Sequence, residues 1–240
     1  MLTPLQCIAL RTVKVSDSRN LLSVWTRQAG RLTLAMPAGN SREARRRRAL
    51  TGPLALFEGV CDLRDGREIS SIRDISAMPG SPALASSPQA TLTAMFLAEF
   101  LDAFLRQAAP DPLLSDYIFT SVARLGTLQG EEALNFHIVF IFGLLALSGI
   151  SPDSTDYRPG ELFDMRDGRF RATPPLHNDF LDAADTHRML FLVRYGFHGA
   201  ALLHLGREGR NRILDLQLRY ISIHLAPLPQ LKSLDILRSM

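Results

Sequence analysis

The densest concentration of chemistry in the sequence is Ser41-Arg42-Glu43-Ala44-Arg45-Arg46-Arg47-Arg48, five guanidiniums and one carboxylate within eight residues. Like charges at this density repel one another and resist joint burial, so the segment is expected as a solvent-exposed loop that meets a polyanion. Guanidinium forks match phosphate oxygens bidentately, and Lys14 and Lys232 are the only lysines in the chain. An arginine-rich genome would give the same usage, so composition alone does not name the ligand. The charge is also uneven. Up to Pro79 there are 13 Lys and Arg against 7 Asp and Glu, and the remainder holds 14 against 17, which is +6 in front and −3 behind. A basic front suits nucleic acid, and a mildly acidic rear suits protein partners.

Catalytic chemistry is not apparent. The chain carries no glycine-rich phosphate loop ending in Lys-Ser or Lys-Thr, no nucleophile elbow and no CxxC. His137, His177, His187, His198, His204 and His224 are scattered, and His198 and His204 lie out of phase with the i, i+4 spacing that puts two ligands on one helix face. Asp153, Asp156, Glu161, Asp164 and Asp167 crowd one stretch but miss the calcium-loop template, so they read as a solvated loop. A metal-dependent nuclease is the one catalytic alternative they leave open. No catalytic residue, metal site or cofactor is expected. Cys7 and Cys61 each sit in an apolar run and read as reduced core thiols. Residues 1–10 lack the basic and apolar regions of a signal peptide, and residues 138–150, the most apolar stretch, are too short for a membrane span. The expectation is a cytoplasmic binder with no membrane partner.

The elements that must position the arginines follow from periodicity. Residues 5–15, 21–26, 31–36, 54–63 and 69–75 are β-branched and apolar runs separated by turn chemistry, with Gly30 closing a short hairpin and residues 64–67 forming a turn. Five short antiparallel strands in this length close most economically into a small barrel of the OB type, although an SH3-like barrel has the same spacing. Residues 78–89, rich in Pro, Gly, Ser and Ala and free of charge, read as a linker. Beyond it the period becomes helical, over residues 92–104, 113–128, 132–147, 182–205 and 208–225, with an irregular hairpin insert near 151–175 and a short amphipathic turn in the tail. The fold class expected is α+β with two domains, a five-stranded barrel over 1–79 and an all-α domain over 80–240.

Several segments then carry a resemblance. Gln6-Cys7-Ile8-Ala9-Leu10-Arg11-Thr12, Trp25-Thr26-Arg27-Gln28-Ala29-Gly30-Arg31-Leu32, Phe96-Leu97-Ala98-Glu99-Phe100-Leu101, Asn135-Phe136-His137-Ile138-Val139-Phe140, Tyr157-Arg158-Pro159-Gly160-Glu161-Leu162-Phe163-Asp164 and Pro229-Gln230-Leu231-Lys232-Ser233-Leu234-Asp235, in this order, resemble the RecO family, in the branch found in Bacteroidetes-type bacteria. The resemblance spans nearly the whole chain. It implies an N-terminal OB-fold, a C-terminal helical domain and a nucleoid-associated recombination mediator. Such a mediator binds single- and double-stranded DNA, anneals complementary strands, and acts with RecR and the single-stranded-DNA-binding protein so that RecA is loaded at gaps. Some members carry a four-cysteine zinc module, whereas residues 151–171 here contain no cysteine. Zinc is therefore not expected, and the hairpin must hold itself by packing.

An OB barrel that grips single strands by stacking shows several exposed aromatics. This front offers only Trp25 and Phe57, of which at least one belongs in the core. Binding is therefore expected from phosphate contacts by Arg42, Arg45, Arg46, Arg47 and Arg48, with Arg11, Lys14, Arg27 and Arg31 on the barrel face. In the helical domain, Arg124, Arg188, Arg194, Arg207, Arg210 and Arg212 are candidates to rim a groove for the acidic tail of the single-strand-binding protein. The alternative is a helical adaptor with weak DNA affinity.

Overall fold

The computed structural model describes residues 2–63, 68–82, 87–225 and 227–239. The turn expected at 64–67 and residues 83–86 of the expected linker lie outside the described residues. Five strands, β1 (Leu2–Lys14), β2 (Arg19–Thr26), β3 (Gly30–Pro37), β4 (Leu56–Asp62) and β5 (Ile69–Ala77), form a closed barrel in the order β1-β2-β3-β5-β4. Strand β1 makes closure possible because it is long enough to serve both neighbours. Leu2 to Ile8 pair with β4, and Cys7 to Lys14 pair with β2, with a register irregularity between Ala9 and Arg11. Alternate residues such as Leu5, Cys7, Val24, Leu34, Phe57 and Ile72 point inward and fill the core. Gly30, at φ 65°, takes the left-handed conformation that the β2–β3 hairpin needs, and Thr26 Oγ1 closes the turn by accepting from Ala29 N at 3.0 Å.

Two details depart from the expected all-antiparallel barrel. Strands β3 and β5 pair in parallel, through Thr33 to Ile69 and Ala35 to Ser71, because a helix and β4 intervene between them in sequence. Strand β4 also starts two residues late. Leu54 is fully buried at φ 55°, donates to Ala9 O at 2.9 Å, and turns the chain before pairing begins.

The arginine run is a helix, not a loop: α1 spans Arg42–Leu50 between β3 and β4. The physical reasons are local. Ser41 Oγ accepts from Ala44 N at 3.1 Å and caps the first turn. Glu43 sits in the positive first turn, Arg47 and Arg48 in the negative last turn, and Glu43 pairs with Arg47 one turn on at 2.7 Å. Arginine is itself a good helix former. Ala44 is fully buried and seats the helix on the barrel.

Ser87 caps α2 (Pro88–Phe104), so the helix begins inside the expected linker, and Asp111 caps α3 (Pro112–Leu125). Then come α4 (Gly130–Leu147), the short strands β6 (Leu162–Asp164), β7 (Arg169–Arg171) and β8 (Phe180–Leu181), α5 (Ala183–Leu202), α6 (Arg207–His224) and α7 (Leu234–Arg238). The chain forms two compact units, Met1–Leu128 with Leu231–Leu237, and Gln129–Gln230 with Arg238–Met240. In the first, Trp25 of β2 donates to Ser115 of α3 at 3.0 Å, and Glu99 of α2 accepts from both the backbone and the hydroxyl of Ser233. In the second, α4 is apolar on all sides and packs against α5 and α6. Among the described residues α4 is the one helix long and apolar enough to cross a membrane, and 61% of it is buried inside the protein. Polar side chains lock it in place: Asn135 donates to Ala200 O and Leu203 O, and Gln217 of α6 donates to Ile138 O. Helix α5 is broken at Gly196, whose φ of 52° and ψ of −136° are not helical.

Candidate nucleic-acid interface

The five arginines of α1 divide into two sets. Arg46 and Arg47 turn toward the barrel, where Arg46 donates to Ile75 O at 3.0 Å and Arg47 to Ile72 O at 3.4 Å, and Arg48 donates to Gly39 O in the loop that leads into α1. Arg46 and Arg47 also share Glu43, whose carboxyl is held below its ordinary range first by the hydrogen bond from Arg47. Arg42 and Arg45 face solvent, and neither side chain makes a hydrogen bond or ion pair among the described residues. They are three residues apart, hence on one face of α1. The helix is thus fastened by three guanidiniums and presents two.

The barrel-face candidates are placed differently. Arg31 donates to Asp102 of α2 at 2.6 Å and to Ser23 Oγ at 3.3 Å, and Arg11 reaches the other oxygen of Asp102 at 3.9 Å. Asp102 is only 4% exposed, so both cations neutralise a buried carboxylate. Arg27 pairs with Asp116 of α3 and lies over the Phe119 ring at 4.3 Å. Arg11, Arg27 and Arg31 therefore fasten the barrel to α2 and α3. Lys14 pairs with Asp17 in the exposed β1–β2 turn. Trp25 and Phe57 are both fully buried, so the barrel has no aromatic stacking platform among its strands.

The six arginines expected to rim a groove are divided between the two compact units. Arg124, in the last turn of α3, belongs to the first compact unit, and the other five to the second. Arg188 and Arg212 converge on Asp185, which is 1% exposed, and Arg212 also reaches Asp182 at 3.2 Å. Arg210 is itself buried and donates to Leu205 O at 2.6 Å. Arg194 lies over Tyr195 at 5.6 Å, and Arg207 is exposed at the start of α6.

Sequence reasoning missed how the insert is held. Packing contributes through Phe163, which meets both Phe170 and Tyr220. Two buried carboxylates contribute as well. Asp164 accepts from Arg171 at 2.9 Å and from the backbone of Arg166 at 3.0 Å, while Asp179 accepts from Arg166 and Arg219. The Arg166 bond is the first cause of the lowered Asp179 pKa. Residues 151–171 lack the cysteines of a zinc module, and Asp164 and Asp167 there are taken up by Arg171. Among the described residues no three His, Cys, Asp or Glu side chains are grouped to hold a metal ion.

A closed five-stranded barrel followed by a helical region defines an α+β protein with an OB-type barrel at its front. Residues 85–235 match the family model described as "Recombination protein O C terminal". The DNA repair protein RecO of Phocaeicola vulgatus is 32% identical, over 97% of this chain and 96% of that relative. RecO proteins of Bacteroides fragilis and Porphyromonas gingivalis are 31% and 29% identical over 97% and 98% of the chain, and 96% and 97% of their own length. The chain belongs to the RecO family.

Proposed function

We propose that this protein is a non-enzymatic DNA repair and recombination mediator of the cytoplasm. It binds single- and double-stranded DNA through backbone phosphates, anneals complementary strands, and with RecR helps RecA load at gaps coated by the single-stranded-DNA-binding protein. Its barrel domain, residues 1–79, grips DNA, and its helical domain, residues 80–240, recruits partners.

The observation that carries this reading is the pair Arg42 and Arg45, exposed and with side chains unpaired among the described residues, on a helix that Arg46 and Arg47 fasten to the barrel. The helix fixes where both side chains start, the guanidinium forks match phosphate oxygens, and such contacts read no base edges. A protein that cancels phosphate repulsion while leaving base edges free lets two strands find each other. Arg46, Arg47 and Arg48 add to the positive field, each with N–H groups beyond those already engaged. Lys14, Arg11, Arg27 and Arg31 contribute less, because each already serves an acid.

The relatives' shared name, DNA repair protein RecO, supports the pathway. The test is annealing of complementary oligonucleotides coated with the cognate single-strand-binding protein. Wild-type protein is expected to accelerate duplex formation over the coated strands alone. No acceleration, together with retained binding to that protein, would favour the adaptor reading.

A further inference from the structure

A cleft of about 290 Å³ opens where the C-terminal end of α1 meets the barrel, and phosphate binding by Arg42 and Arg45 makes no use of it. Its volume lies at the bottom of the ~300–1,000 Å³ range of small-molecule sites, which suits one base and its sugar. Leu10 of β1 and Met36 of β3 give it an apolar floor, 5% and 6% exposed. Asn20, the cross-strand partner of Met36, and Thr12 of β1 add an amide and a hydroxyl, which between them donate and accept as a base edge requires. Arg47 and Arg48 line the cleft as well, so its occupant has to be anionic or joined to an anion. Each guanidinium retains N–H donors beyond the ones given to Ile72 O and Gly39 O.

We propose that this cleft takes one unpaired nucleotide of a single strand, its base on Leu10 and Met36 and its phosphate on Arg47 or Arg48; the proposal rests on the phosphate-binding reading of α1. A flat heterocycle covers the apolar floor, and the charge complements the backbone it hangs from. Bases inside a duplex are stacked and paired, and reach such a cleft only by flipping out. The cleft therefore adds a preference for single strands to contacts that are otherwise indifferent to strandedness. It does so without the exposed aromatic that single-strand binders usually supply.

Gly52, which lines the cleft, offers a clean plug. A Cβ there meets nothing within 4 Å, and its φ lies outside the left-handed region, so the backbone at Gly52 accepts a side chain and Gly52→Phe is the plug to test, with its unfolding midpoint measured beside wild type. Three probes of equal length are titrated by fluorescence polarisation: a single strand, an abasic single strand and a duplex. With wild-type protein the abasic strand is expected to bind about fivefold more weakly than the normal strand, the low end of what contact with a base contributes. Gly52→Phe is expected to lose the same factor on the normal strand only, leaving the abasic strand and the duplex unchanged. Equal binding of normal and abasic strands by wild-type protein would overturn the proposal without recourse to any variant. Equal losses on all three probes would overturn it too, since the plug would then act on the phosphate site. Salt-independent binding of all three probes would instead overturn the phosphate reading, and this proposal with it.

Discussion

Asp102 is the residue on which the barrel's own cations are spent. A carboxylate 4% exposed is tolerable only because Arg31 and Arg11 reach its two oxygens, and removing the acid would leave Arg31 part-buried and unneutralised. Asp102→Ala is expected to cost about 3 kcal/mol in urea unfolding, in the range of a broken buried pair. A loss below about 1 kcal/mol, the level of a surface pair, would show that Arg11 and Arg31 are not committed to it. His137 makes a different kind of prediction. Burial, and second the repulsion of Arg210, push its imidazole down to about 3 from an ordinary 6.5. The native state thus refuses a proton that the unfolded chain accepts below that ordinary value. The resulting stability is fully present above pH 6.5 and is lost as pH falls toward the native value, at about 1.4 kcal/mol per pH unit for one proton. Denaturant unfolding at pH 7.5 and pH 5 should differ by about 2 kcal/mol, and His137→Asn should remove most of that difference. An unchanged difference in the variant would place the titration elsewhere. Cys7, by contrast, is pushed up to about 12 chiefly by burial and has the character of an inert core thiol.

At the scale of elements, α1 decides whether the arginines are scattered charge or a fixed array. Ser41 caps its first turn and Thr51 Oγ1 donates to Arg47 O at 2.8 Å in its last, so Ser41→Ala should cost about 1 kcal/mol and should weaken DNA binding by loosening the array rather than by removing a charge. Thermal unfolding with oligonucleotide titration checks both; unchanged affinity would mean that the helix need not be rigid. The same element shows what the sequence could and could not disclose. Ser41, Glu43 and Arg47 carried the signals of a helix, but mutual repulsion among five guanidiniums pointed to a loop. That repulsion is relieved locally by Glu43 and Gly39 O, and by carbonyls of Ile72 and Ile75, which only the closed barrel brings into reach. The strands were legible because their period of two and their turn residues are local properties, as Gly30 shows. The partners of Arg27 and Arg31 were not, because Asp116 and Asp102 lie 89 and 71 residues away. The short insert around β6 was legible as a hairpin, yet its dependence on buried carboxylates was hidden, because Asp164 stands among acids that read as a solvated loop and Asp179 meets Arg219 from 40 residues away.

For the whole molecule, a first third with a +6 balance precedes a remainder with −3, and among the described residues many of the cations, Arg11, Arg27 and Arg47 among them, are engaged by the protein's own acids and carbonyls. Among the described residues α1 holds the densest set that remains for a ligand, while the exposed Arg19, Arg73, Arg106, Arg158, Arg169 and Arg207 lie one by one on other elements. An annealing factor needs such a surface, strong enough to cancel phosphate repulsion between strands and blind to sequence, and Arg42 and Arg45 are its least encumbered part. The measurement that bears most directly on this is the salt dependence of single-strand affinity for wild-type protein and for the Arg42→Ala, Arg45→Ala variant. Four engaged guanidiniums predict a slope of roughly −3 in log affinity against log salt, and removing two of them should flatten it by about 1.4 with no change in unfolding midpoint. A slope that is the same in both proteins would contradict a phosphate grip by α1.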